Sequence, residues 1–398
     1  MINIKPVFNG TYFFLITIIL IYSSIEMSRF GLENLQFLVK AACSIVLLQF
    51  FFYQLILKGK MRTLKHIWFP LFYLFCCFVS IFWSINFQES IVSFFGILII
   101  FSVFFFMNNS CNKVQIIEAV YYSCLFYLIV NIALYPFFGE NFFDYLQGKY
   151  RFAGITYGAH SIARISLFLL IAALSMLKMG KITKIRFISI FLLSLLFVVL
   201  ADSRQVYIAM LVVMAIYILF RTNKARIANY FILFSSFTIL VACFLYFVPN
   251  MESLSRTGNL DEILSLTGRI NVWQTCIELI NQNPYFGYGF GSAQTIIPNN
   301  YFTQFGWTTG SAHNSFIHMA LEMGLIIAIS FHLYIVFLII KNFREKNFFN
   351  VSILLTLVFL GLLEKSFSGN ADFLFLFLLL SSSNLKNENT SRSLSIST

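Results

Sequence analysis

Residues 178–221, "KMGKITKIRFISIFLLSLLFVVLADSRQVYIAMLVVMAIYILFR", decide the fold. Lys178, Lys181, Lys184 and Arg186 open the stretch and Arg221 closes it. Two apolar runs lie between them, near 185–201 and 204–220, joined by "ADSR" at 201–204. Runs of about 17 residues are at the short end of what crosses a bilayer. Cations outside and a tight polar turn between the runs describe a membrane hairpin. The turn is so short that Arg204 falls at or just inside the membrane boundary. An ionisable group at that depth is costly and is a functional candidate. The competing reading is pairing with Asp202 or snorkelling to lipid headgroups.

The rest of the chain has the same character. Of 398 residues, 59% are hydrophobic, 11% are charged and 51 are Phe. Soluble globular domains carry about a quarter charged residues, so the composition is that of a polytopic membrane protein. The net charge of +11 does not indicate nucleic acid, because no basic stripe is interleaved with aromatics. Apolar runs near 7–25, 36–57, 67–85, 90–107, 114–137, 161–177, 185–201, 204–220, 228–248, 314–340, 350–364 and 371–385 predict about twelve transmembrane helices in an all-α integral membrane protein. The first run is long and lacks a good cleavage site, so it reads as a retained span. The cysteines form no CxxC pair and read as buried, inert thiols.

Basic clusters assign the sides. Lys58, Lys60, Arg62 and Lys65 form one. Lys178 to Arg186 form a second, Arg221, Lys224 and Arg226 a third, and Lys341, Arg344 and Lys346 a fourth. With twelve spans all four share a side with both termini, which the positive-inside rule makes the cytoplasm. The expected organisation is a bundle of about nine spans over 1–248, an extracytoplasmic loop over 249–313, and C-terminal spans with a cytoplasmic tail over 314–398.

A loop of about 60 residues is long enough to expect function in it. Within it, "LTGRINVWQTCIELINQNPYFGYGFGS" predicts an amphipathic helix. Thr267 is a candidate N-cap, Ile270, Trp273, Ile277 and Ile280 form an apolar face, and Asn283-Pro284 end the helix. The "GYGFG" that follows is turn chemistry, because no strand precedes it and no phosphate-cradling helix follows directly. Arg269 stands in the helix's first turn, where its charge opposes the helix dipole. Either an anionic ligand holds it there or it is solvated or salt-bridged. Arg151, His160 and Arg164 precede or open the sixth span, and Arg164 reads equally as an anchor. In "SAHNSFIHMALEMGLIIA" (311–328), Ser311 or Asn314 can cap the tenth span beside His313. His313 is a polar helix start or a base. His318 and Glu322, four apart, face each other as a structural pair.

Taken in order, "ADSR", "LTGRINVW", "NPYFGYGFG" and "AHNSFIHMALEMGL" resemble the O-antigen ligase/polymerase family of bacterial envelope proteins. The resemblance runs continuously over about 264–328, with weaker echoes in "RFAGITYGAH" (151–160), in residues 202–204 and in the carboxylate Glu364. The ligase pattern His-Asn-nine residues-Gly fits His313, Asn314 and Gly324. Two positions depart from it: Ile327 stands where a second glycine is frequent, and Gly158–His160 where an asparagine is common.

The resemblance implies a GT-C-like membrane glycosyltransferase using glycans carried on undecaprenyl diphosphate. Its site faces the outer side of the bacterial cytoplasmic membrane. Arg269 and Arg204 match the diphosphate-binding arginines and His313 the general base. Arg151 would be an accessory contact, and Asn314 and Trp273 further substrate contacts. Neither a metal nor another cofactor is implied. Donor and acceptor are lipid-linked glycans, with a chain-length regulator and a flippase as further partners and no nucleic acid. The form of "LTGRINVW" favours a repeat-unit polymerase over an O-antigen ligase, which transfers the finished chain to lipid A–core. A flippase or other transporter is the reading from a different class. It is disfavoured because the ionisable residues crowd one face and not the midplane.

Overall fold

The computed structural model describes residues 10–57, 67–146, 149–221, 269–302, 308–365 and 372–382. The chain runs α1 (Gly10–Ser24), α2 (Glu33–Leu57), α3 (Trp68–Ser80), α4 (Phe87–Ser110), α5 (Lys113–Phe138), β1 (Phe143–Leu146), β2 (Lys149–Phe152), α6 (Ala159–Lys178), α7 (Lys184–Leu200) and α8 (Arg204–Arg221). It continues with α9 (Arg269–Gln282), α10 (Ala293–Asn300), α11 (Ser315–Met323), α12 (Leu325–Arg344), α13 (Phe348–Gly361) and α14 (Phe373–Ser382). Five of these helices, counting the turn that extends α5, are long and apolar enough to cross a membrane, and shorter apolar helices accompany them. The predicted span 228–248 and the candidate cap Thr267 lie outside the described residues.

Local chemistry sets the helix starts. Asn86, Asn112 and Thr183 accept hydrogen bonds from backbone N–H groups in the first turns of α4, α5 and α7, which satisfies donors that a helix start leaves open. Packing then sorts the faces. α6 buries residues on all sides and packs against α5, α7, α8 and α13, and α14 is buried throughout. α12 is the reverse. Ala328, Phe331, Ile335 and Leu338 face inward, while Ile326, Ile329, Leu333, Val336, Phe337 and Ile340 are exposed. A regular apolar stripe on the outside of a packed bundle is a lipid-facing surface.

α6 also measures the distance between two chemically different ends. Twenty residues at 1.5 Å each give about 30 Å, the hydrocarbon thickness. At its C-terminal end Lys178 Nζ lies 4.9 Å from the Phe220 ring and 5.6 Å from the Phe348 ring. There Lys181 pairs with Glu118 at 3.3 Å, and Phe220 packs on Phe343, 5.2 Å between centroids. The basic ends of α6, α8 and α12 thus share a face, as the charge clusters predict. The cluster at 58–65 lies outside the described residues. The N-terminal end of α6 carries His160 and Arg164.

Two features differ from the sequence expectation. Within the all-α architecture stands a short antiparallel hairpin, β1 and β2, that places Asp144 opposite Arg151. The predicted span 314–340 is two helices, broken at Gly324. Gly324 has φ +83°, and a Cβ there would overlap the carbonyl oxygen of Tyr285. The "NPYFGYGFG" loop passes through the break. Tyr288 N and Gly289 N donate to the Leu321 and Glu322 carbonyls, both at 2.9 Å, and Leu325 N donates to Pro284 O at 2.8 Å. Gly287, with φ +62°, has room only for a hydrogen there, since a Cβ would lie 2.6 Å from Glu322 backbone atoms. The loop so satisfies the backbone groups that the break frees, the condition for interrupting a helix inside a membrane protein.

Candidate active site

The described polar residues at the N-terminal end of α6 converge on Glu364, just past α13. Its Oε1 accepts a hydrogen bond from Arg269 Nη2 at 2.8 Å. Its Oε2 lies 3.7 Å from Arg164 Nη2 and 3.5 Å from His313 Nδ1. Burial by itself would raise this carboxyl. The hydrogen bond with His313 and the charge of Arg164 outweigh burial and hold it well below the usual carboxylate range.

The backbone carrying Glu364 is tied to α11. Asn314 Nδ2 donates to Leu362 O at 3.1 Å and Ser315 Oγ to Glu364 O at 3.0 Å. Asn314 is also the N-cap of α11, accepting from Ile317 N at 3.0 Å. His313 precedes that cap with φ +49°, a left-handed conformation uncommon for a side-chain-bearing residue and concentrated at functional sites. A carboxylate only accepts, so His313 Nδ1 is the donor toward Glu364. Its Nε2 lies 3.2 Å from Thr309 Oγ1 and serves as acceptor to that hydroxyl in the neutral ring.

Supports surround His313. Trp273 Nε1 donates to Ala312 O at 2.8 Å, and Ala312 N donates to His318 Nδ1 at 3.4 Å. His318 Nε2 meets Glu322 Oε1 at 3.3 Å with both side chains almost fully buried, the structural pair the spacing predicts. The indole of Trp273 and the amide of Asn314, expected as substrate contacts, hold the backbone on either side of His313. His313 also lies beside a nine-residue helix and a carboxylate, not at the head of a full span. α9 is described from Arg269 onward, and its buried face is Val272, Cys276, Leu279 and Ile280, so that of the expected face Ile280 is buried and Ile277 is exposed. The face is turned because α9 packs on α10 and α11. Burial pushes the Cys276 thiol up to about 12, as expected of an inert cysteine.

Arg204 is the first residue of α8 and exposed. Arg151 is 2% exposed, and its Nε donates to Ala201 O at 3.0 Å. Its guanidinium therefore holds the turn before Arg204. The structure thus joins Arg269 and His313 through Glu364 and adds Arg164. Of these, Glu364 was legible only as an echo of the family, and Arg164 equally as a functional candidate or an anchor. Among the described residues no group of three or more His, Cys, Asp or Glu is placed to hold a metal ion.

The family model described as O-antigen ligase matches residues 189–332. That stretch contains Arg204, Arg269, Trp273, His313 and Asn314, and it bears out the resemblance to the O-antigen ligase/polymerase family. No curated protein and no solved structure matches the chain.

Proposed function

We propose, from the premise of this O-antigen ligase domain in a chain of apolar helices, that the protein is a repeat-unit polymerase of the bacterial cytoplasmic membrane. It joins oligosaccharides carried on undecaprenyl diphosphate, at the outer face. The observation that carries the reading is the Arg269–Glu364–His313 cluster with Arg164 beside it. It gathers cations, a candidate base and a carboxylate at the end of α6 opposite the basic clusters.

In the reaction the acceptor hydroxyl oxygen forms a bond to the donor sugar's anomeric carbon. The bond from that carbon to the diphosphate oxygen breaks, and undecaprenyl diphosphate leaves with the electron pair. The hydroxyl proton goes to His313 Nε2. Thr309 Oγ1, 3.2 Å from that nitrogen, holds the place of the incoming hydroxyl. Glu364 orients the ring from the other side. Arg269 and Arg204 stabilise the charge developing on the diphosphate, and arginine's fork suits phosphate oxygens. These guanidiniums supply the positive charge a metal would otherwise supply. In the free protein Glu364 occupies Arg269, so the diphosphate takes the carboxylate's place on that arginine. Arg151 acts through the turn it holds. A flippase delivering repeat units and a chain-length regulator are the expected partners.

The description of the matching family favours a second reading, an O-antigen ligase with the same donor chemistry and lipid A–core as acceptor. One experiment separates them. Purified protein given only lipid-linked repeat units should yield a ladder of longer lipid-linked chains. Transfer that begins only when lipid A–core is supplied would make it a ligase. No transfer, with lipid-linked repeats crossing vesicle membranes, would make it a transporter.

A further inference from the structure

The two ring nitrogens of His160 face different partners. Nε2 lies 3.4 Å from Arg151 Nη2, and Nδ1 lies 3.0 Å from Ser203 Oγ. A guanidinium has donors and no acceptor. Nε2 must therefore present its lone pair, and the ring's single proton sits on Nδ1, donated to Ser203. The partner at one nitrogen fixes the tautomer at the other. Arg151 reaches the same turn a second time through Ala201 O, at 3.0 Å. The Ser203 carbonyl receives Val206 N and Tyr207 N at 3.0 and 3.1 Å, so the turn is continuous with the head of α8, where Arg204 stands.

We infer that His160 is a positioning residue, a neutral Nδ1-protonated imidazole that ties Arg151 to Ser203 and so fixes the turn presenting Arg204. What Arg204 meets there, the anionic leaving group of a lipid-linked donor, rests on the function proposed above; the tautomer and the link do not. Ser203 and Arg204 fall inside the family-matched stretch 189–332, whereas Arg151 and His160 fall outside it. His160 stands in the segment where the sequence departs from the family's usual asparagine. The link therefore couples the matched domain to the N-terminal part of this particular chain.

Glutamine and asparagine divide the imidazole between them. His160→Gln places an amide near Nε2 and keeps an acceptor for Arg151. His160→Asn places one near Nδ1 and keeps a partner for Ser203. His160→Ala should lower kcat/KM about 10- to 100-fold, the range for losing a hydrogen bond to a charged group, with KM for the lipid-linked donor rising. His160→Gln should recover most of that loss and His160→Asn little of it, at matched unfolding temperature. Equal recovery by both, or recovery by asparagine alone, overturns the inference.

The wild-type protein gives a readout independent of activity. Nitrogen-15 NMR of histidine-labelled protein in lipid should show His160 protonated at Nδ1 and bare at Nε2 at neutral pH. The signal is assigned by its loss in His160→Gln. If that variant does not accumulate, it is assigned by elimination with variants of the other four histidines, since the chain has five. A His160 protonated at Nε2 overturns the inference even in an active transferase. A wild-type protein that transfers no glycan overturns the proposed function and leaves the Nδ1–H result standing.

Discussion

Glu364→Gln should move stability, anion affinity and turnover in different directions, which a simple packing residue would not do. The carboxylate lies 2.8 Å from Arg269 and 3.7 Å from Arg164, whose side chains are 20% and 11% exposed. Removing one partner from a buried ion pair costs about 3–5 kcal/mol. The residual solvent access of these arginines reduces the expected loss to about 2–3 kcal/mol. The same change removes the anion that competes with a diphosphate for Arg269. Inorganic pyrophosphate should then bind about tenfold more tightly, or about 1.4 kcal/mol. Glycan transfer should still slow about 10²-fold, because the one oxygen the amide keeps goes to Arg269 and its NH2 then faces His313 Nδ1, which loses the acceptor that orients its ring. Thermal unfolding in detergent with and without pyrophosphate measures the first two, and transfer at matched protein measures the third.

The pH dependence follows from the direction of the Glu364 shift. Its carboxyl is held below the ordinary 4.5 in the folded protein, so its contribution is fully present above that value and is lost as pH falls through the lower folded one. The stability gap between wild type and variant should stay flat from neutral pH down to about pH 5 and close only in stronger acid. A variant as stable as wild type that binds pyrophosphate no better would refute the competing-anion account.

Arg269→Lys keeps the charge and loses the fork, so it should lose most transfer activity at matched expression; near-normal activity would leave Arg269 a purely structural partner of Glu364. His313→Ala should still bind the lipid-linked donor and transfer 10²–10⁴-fold more slowly, while His318→Ala should show itself chiefly as a lower unfolding temperature, since it uncovers the buried Glu322. Gly324→Ala forces a Cβ into the Tyr285 carbonyl at positive φ and should cost about 2–5 kcal/mol, read by thermal unfolding. Reporters fused near Asn259 and Thr222 should fall on opposite sides of the membrane, outside and inside; the same side for both would displace the outer-face site.

The sequence carried the helices because apolar runs and cap residues are local signals. Asn314 as one of two candidate caps and the His318–Glu322 pair were visible from spacing of a few residues. What escaped it depends on distant contacts. The hairpin strands are four residues each, too short for a two-residue period to stand out. The break at Gly324 looks like a tolerated glycine in a helical pattern until the loop that fills it is seen. Glu364 meets partners 95 and 51 positions away, and nothing near it in the chain announces them. The buried face of α9 shares Ile280 with the expected one and departs from it at Val272, Cys276 and Leu279, because Val272 and Cys276 carry less hydrophobic weight than the isoleucines and the packing partners select that side.

The stitch between residues 284–289 and 321–325 bears on how this protein can be taken apart and rebuilt. A chimera that exchanges the loop over 284–289 alone would bring foreign carbonyls and N–H groups to a gap shaped for Tyr288, Gly289 and Pro284. The loop and the broken helix form one inheritable unit. Grafting specificity from a relative therefore means moving both sides of the stitch together, with His313 and the helix that follows it travelling as part of the cargo.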